Sequence, residues 1–223
     1  MATDSTHLSA SSLTISTRFS YLELWPVCLI FGLILLAVWM PPGPFLAVSA
    51  LLMIGGVLIF SLRSGYTAGE LGLTKPFRNA GVIVAAGIVL AGLIVVNGHF
   101  WPHVAGAAIP VPLHRAWQYA IWAMIQEFIL QSFFFLRFEA VFGGKKSVWI
   151  ASGLFAVAHI PNPLLTPLSF LGALFFCEMF RRYRNLYPIG AIHALLGLTI
   201  AASLPDSLLH HMRVGIGYLM YHH

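Results

Sequence analysis

Apolar residues dominate seven stretches of this chain, each long enough, or nearly so, to span about 30 Å of hydrocarbon as a helix. They run approximately over 25–41, 45–62, 79–97, 114–136, 147–160, 164–180 and 188–204. Between them lie short segments rich in Gly, Pro and basic residues. The fifth stretch is the shortest. It ends at Pro161-Asn162-Pro163, where proline removes backbone donors and restricts the residue before it, so the helix either begins earlier, near Gly143, or is partly re-entrant. The first stretch lies too far from the start, and is too closely followed by another, to resemble a cleaved signal peptide; it reads as retained.

Polar residues interrupt this pattern at a few places, and these are the informative ones. Gln126, Glu127 and Gln131 lie in the fourth stretch, His159 near the end of the fifth, and His193 near the start of the seventh. An ionisable group at bilayer depth is expensive, so each is a candidate functional residue. At 1.5 Å rise per residue, Glu127 lies about 15 Å from the Arg137 end of its helix, too deep for easy snorkelling. It must face the interior of the bundle. Glu127 and Gln131 are four apart and share a face, with Gln126 about 100° round the helix. By the same rise, His159 lies about 18 Å from the cytoplasmic edge of its span and His193 about 8 Å. Helix tilt, or an earlier start to the last span, brings them level.

Composition agrees with the pattern. The chain is 59% apolar and only 9% charged, against about 25% charged for soluble domains, and its mean hydropathy is +0.85. The expected architecture is all-α, a polytopic transmembrane bundle of about seven spans. Its organisation reads as an N-terminal tail over 1–22, two N-terminal spans over 23–69, a core over 70–204 and a C-terminal tail over 205–223 that can lie along the interface as an amphipathic helix. Seven spans with the N-terminus in the cytoplasm place ten of the twelve Lys and Arg residues on the cytoplasmic side, leaving Arg115 and Arg213 outside. The net charge of +5 then reflects topology and contact with anionic lipid, in the plasma membrane, and no basic helix or Arg-aromatic interleaving points to nucleic acid. Cys28 and Cys177 both fall within spans and read as small packing residues, with neither a disulfide nor a cysteine zinc site implied. Glu178 beside Arg181 and Arg182 reads as an interfacial ion pair, and the histidines at 210, 211, 222 and 223 as solvated or interfacial.

A carboxylate in a dry site is suited to take a proton from water. Two imidazoles on different helices with a carboxylate nearby can hold a divalent metal such as zinc, polarise a peptide carbonyl or stabilise an oxyanion, and spacing does not choose among these. A structural reading stands beside the chemical one. Gln126 and Gln131 can serve as interhelical hydrogen-bonding glue worth about 1 kcal/mol each, and Glu127 can pair with Arg115, Arg137 or a histidine.

Three blocks on successive helices resemble a known family. Gln126-Glu127-x-x-x-Gln131, Phe155-x-x-x-His159 and His193-x-x-x-Gly197 are similar in order and spacing to the Glu-Glu-x-x-x-Arg, Phe-x-x-x-His and His-x-x-x-Asn blocks of the CPBP (CAAX protease and bacteriocin-processing, or Abi) intramembrane proteases. Glu70-Leu71-Gly72-Leu73 also resembles the text that precedes the family core, so the likeness spans roughly 70–204. It implies an endopeptidase acting on a membrane-anchored or prenylated, CAAX-type protein. On that likeness Glu127, His159 and His193 are the catalytic candidates, and Gln126, Gln131, Asn162, Phe155 and Gly197 the supporting ones. Any metal would be held by His159, His193 and Glu127. The leading Glu, the Arg and the Asn of the family pattern are here Gln126, Gln131 and Gly197. Gln is no general base, so either Glu127 activates water, assisted by His159 while His193 polarises the carbonyl, or the site binds a membrane peptide or isoprenoid without cutting. A small proton-linked transporter is the third possibility.

Overall fold

Among the described residues, seven helices of fourteen or more residues form in the expected places. The computed structural model describes residues 24–100 and 112–220; the N-terminal tail, the middle of the Pro- and His-rich outer loop, and His222 and His223 lie outside the described residues. The helices are α1 (Trp25–Trp39), α2 (Pro44–Arg63), α3 (Ala80–His99), α4 (Leu113–Phe142), α5 (Gly144–Val157), α6 (Leu165–Tyr183) and α7 (Leu186–Ser203). No strand occurs among the described residues. Four of them, α2, α3, α4 and α7, are long and apolar enough to cross a membrane, and α1 is a shorter apolar helix. The large apolar side chains on their outer faces, such as Leu51, Leu62, Val89 and Trp149, are exposed, as expected where the surrounding solvent is lipid. The chain is therefore a polytopic helical bundle.

Helix α4 is its axis. Nothing from Leu136 to Phe142 breaks a helix, so α4 continues past its expected end to the Gly143-Gly144 pair, where Gly143 takes φ +79°. Its middle, Phe128–Phe135, winds as a π-helix. The wider turn packs Phe133 and Phe135, both fully buried, among α2, α5 and α6. Such segments disturb the regular ladder of backbone bonds and are frequent at functional sites. Arg137, expected in a cytoplasmic loop, is instead inside α4 and buried: its Nη1 donates to the Phe133 carbonyl at 2.8 Å, its Nη2 to the Phe60 carbonyl at 2.9 Å, and its guanidinium lies 4.0 Å from the Phe133 ring centre.

Helix α7 packs against α3 and α4, and glycines make the approach close. A Cβ on Gly190 would fall 2.6 Å from the Met124 methyl, and one on Gly98 2.6 Å from the Ser203 carbonyl oxygen. Small residues at helix contacts let backbones approach, which matters where no hydrophobic force separates helix from lipid. The loop over 64–79 is tied to the same core. Asn185 donates to the carbonyls of Pro76 at 3.0 Å and Arg78 at 2.8 Å, the Ser132 hydroxyl donates to Leu71 at 2.8 Å, and Leu186 N–H donates to Gly72 at 3.0 Å. Near this end of the bundle Glu178 is bridged by Arg181 and Arg182, as expected, and Glu139 pairs with Arg184.

The segment after Pro205 is not one amphipathic helix. It forms α8 (Asp206–Leu209), a 3₁₀ turn (His210–Met212) and α9 (Gly215–Leu219). Glycine at 215 is required twice: φ is +54°, and a Cβ there would collide with the Val38 carbonyl. Asn162 holds this strap in place, donating from Nδ2 to the carbonyls of Leu209 (2.9 Å) and Arg213 (3.1 Å). Its Oδ1 accepts from the N–H groups of Leu164 (3.2 Å) and Leu165 (2.8 Å), satisfying the start of α6. Replacing Asn162 by Ala leaves these buried groups unmatched, at about 1–3 kcal/mol. The expected outcome is a lower midpoint of denaturant unfolding in detergent and faster tryptic cleavage after Arg213; wild-type values for both would show that the strap is held otherwise.

Candidate active site

Helix α5 ends at Val157 because Pro161 and Pro163 follow. His159 is thus in a turn beyond the helix rather than within it. Its backbone is fixed at both poles: its N–H donates to the Ala156 carbonyl at 2.9 Å, and its carbonyl accepts the Thr166 hydroxyl at 3.0 Å. The ring is fixed as well. Nδ1 lies 2.7 Å from the Phe155 carbonyl, which can only accept, so Nδ1 carries the proton and Nε2 is the acceptor in the neutral ring.

His193 projects from α7, which begins at Leu186, two residues before its expected start. Its Nδ1 lies 2.7 Å from Glu127 Oε1. The second carboxylate oxygen, Oε2, accepts from Gln131 Nε2 at 2.9 Å, one helical turn along α4. Glu127 is 0% exposed and His193 9%. This carboxylate is therefore sealed behind the imidazole, with both oxygens engaged, and it lines neither of the two cavities beside it. Aromatic rings complete the setting. Phe176 stacks on His193 at 5.1 Å between ring centres and 15° between planes, while Phe155 stands edge-on to it at 5.9 Å and contacts His159 at 4.7 Å. Phe155 thus aims one imidazole with its carbonyl and packs between both with its ring.

Both imidazoles reach a cavity. One apolar space of about 920 Å³ lies between α1, α2, α4 and the C-terminal strap, with Met53, Leu130, Met212 and Val214 among its walls. A second, of about 730 Å³, lies between α3, α4, α6 and α7. Gln126, His159, Phe155 and Trp122 line both. His193 lines the second only, together with Tyr119 and Gly197. Gln126, half-buried, is the polar α4 side chain where the two spaces adjoin. Gln131 is fully buried, in one layer with Ser152 and Cys177, and the Cys177 thiol lies against both of their side chains.

Of the residues singled out from sequence, the fold brings together Gln126, Glu127, Gln131, Phe155, His159, His193 and Gly197. Asn162 stands apart, its polar atoms committed to the strap and to α6. Among the described residues no three His, Cys, Asp or Glu side chains are grouped as a metal site, and Glu127 is engaged by His193 Nδ1. The two Nε2 atoms are the nitrogens left for any ligand. Tyr119 was not legible as a site residue. The one hint is a glycine at 197, one turn after His193 on the same face, where a small residue leaves room for a large neighbour.

The arrangement is a carboxylate-oriented imidazole and a second imidazole lining one mostly apolar chamber. Such a pair can take a proton from water and stabilise negative charge on a carbonyl oxygen. No curated protein and no solved structure matches the chain. Residues 110–199, the segment from the start of α4 into α7 that carries all three sequence blocks, match the family Type II CAAX prenyl endopeptidase Rce1-like.

Proposed function

We propose that the chain is an intramembrane endopeptidase that hydrolyses a peptide bond in a membrane-anchored or prenylated protein. The observation that carries this reading is the convergence of His159 and His193, the latter backed by Glu127 at 2.7 Å, on an apolar chamber within the segment that matches the endopeptidase family. Water held near Gln126 gives a proton to His159 Nε2 while its oxygen attacks the scissile carbonyl carbon. In this scheme His193 works as the imidazolium, its Nδ1–H on the Glu127 carboxylate, and its Nε2–H meets the negative charge that grows on the carbonyl oxygen. As the C–N bond breaks, the proton on His159 passes to the departing amine. Glu127 then acts through His193 instead of touching water, because it lies behind that ring. The lipid chain of a prenylated substrate, or the side of a membrane helix, fits the apolar space of about 920 Å³. The same reading keeps the protein in the plasma membrane and, following the distribution of basic residues, the N-terminus in the cytoplasm.

One observation favours a second reading, that of a protein that binds such a peptide or isoprenoid without cleaving it: among the described residues no carboxylate lines either cavity. A single experiment separates the two. Membrane-peptide termini are compared in cells carrying wild type, Glu127→Gln and His159→Ala at matched expression. The endopeptidase predicts termini that appear only with wild type, each variant losing at least about 100-fold in turnover. Identical termini from all three, with bound peptide still captured by each, sink catalysis and leave binding.

Gln131 is a positioning residue in this scheme. Gln131→Leu removes the donor to Glu127 Oε2 and leaves a buried carboxylate oxygen unmatched, at about 1–3 kcal/mol. The expected result is a lower unfolding midpoint together with reduced kcat, both recovered in part by Gln131→Asn; full activity in the Leu variant would remove Gln131 from the scheme.

A further inference from the structure

Position 197 holds no side chain, and the space in front of it is filled from another helix. A Cβ built on Gly197 would fall 1.9 Å from the Tyr119 hydroxyl oxygen, 2.5 Å from Cζ and 2.6 Å from Cε1 of the same ring. Any residue but glycine would therefore expel the phenol. Tyr119 sits two turns before Glu127 on α4, and Gly197 one turn after His193 on α7, so the phenol bridges the same pair of helices as the Glu127–His193 contact. Its ring stands edge-on to His193, 6.5 Å between centres. It lines the second cavity with His193, His159 and Gln126.

The hydroxyl has no hydrogen-bond partner among the described residues. Tyr119 is half-buried, and a tyrosine hydroxyl in such a place ordinarily finds a partner. Here the open side of the O–H is the cavity, so the natural partner is whatever occupies it. The cavity is otherwise mostly apolar, and Asn97, Gln126, Ser169 and the indole N–H of Trp122 are its other neutral donors. Of the neutral donors, the Tyr119 hydroxyl is the one whose ring touches His193.

We propose that the Tyr119 hydroxyl donates a hydrogen bond to the substrate carbonyl oxygen, beside the N–H of His193, and that Gly197 exists to admit it. The assignment rests on the endopeptidase reading for its kinetics but not for its binding geometry. A phenol in a water-poor site needs no reorganisation as charge develops on the oxygen, so its contribution is larger in the transition state than in the ground state.

The test is Tyr119→Phe, which keeps the ring against Gly197 and removes one oxygen. Turnover of a farnesylated peptide by the purified full chain in nanodiscs should fall about 100-fold in kcat with KM within about threefold. The unfolding midpoint should stay unchanged. A second measurement reads the donor without turnover: a farnesylated peptide ketone is bound to the same nanodiscs and its C=O stretch recorded by infrared difference spectroscopy. The stretch should move to lower frequency on wild type, and part of that shift should vanish on Tyr119→Phe. If wild type binds the ketone but cuts no peptide, a Tyr119-dependent shift still upholds the donor while the endopeptidase fails. Equal kcat or an equal shift in the two proteins overturns the donor alone. Failure of wild type to bind the ketone overturns both.

Discussion

A single buried contact, Glu127 to His193, organises the site and much of the bundle. Its partners come from α4 and α7, sixty-six positions apart in the chain, and the carboxylate is withdrawn from lipid and water alike. A carboxylate in such a place is tolerable only if its oxygens are met, and both are, by the imidazole and by Gln131. The pair therefore fixes the register of α4 against α7. Glycine at 190 lets the two backbones come near enough for that distance to be made.

The remaining features follow from placing the pair. The π-helical turn begins directly after Glu127, carrying Gln131 beneath it and presenting Phe133 and Phe135 to the surrounding helices. Phe176 and Phe155 then enclose the imidazole, so that water has access to His193 chiefly from the cavity. His159 depends on a different device, the proline-terminated end of α5. Its ring is aimed by a carbonyl in its own last turn rather than by a partner helix.

Helix positions were legible because lipid imposes a simple rule: long apolar runs between basic or Gly/Pro segments. Length, uncapped continuation and breakers set the ends. The extension of α4 to Phe142 follows from the absence of any breaker before Gly143, and it carries Arg137 from an expected loop into the interior. The polar cluster was legible as a set, since Gln126, Glu127, Gln131, His159 and His193 are costly in lipid. Their division of labour was not. Whether a carboxylate faces a chamber or the back of a ring is decided by side-chain geometry between helices, which spacing along one helix does not contain. Tyr119 escaped for the opposite reason: tyrosine is common near membrane surfaces, and its site lies opposite a residue whose relevant property is the absence of a side chain. Asn162 looked chemical and proved to be a clamp, because its partners come from backbone forty-seven and fifty-one residues later.

That clamp has a consequence for the order in which the protein comes into being. Synthesis proceeds from the N-terminus, so Gln126, His159 and His193 all leave the ribosome before Met212, Val214 and Ile216, which close the larger cavity. Until the strap arrives, the chamber is an open cleft between inserted helices, accessible to passing lipid tails. The backbone of Leu209 and Arg213, drawn under Asn162, leads Val214 and Ile216 into that wall, so the chamber closes only after the polar residues of the site have been made.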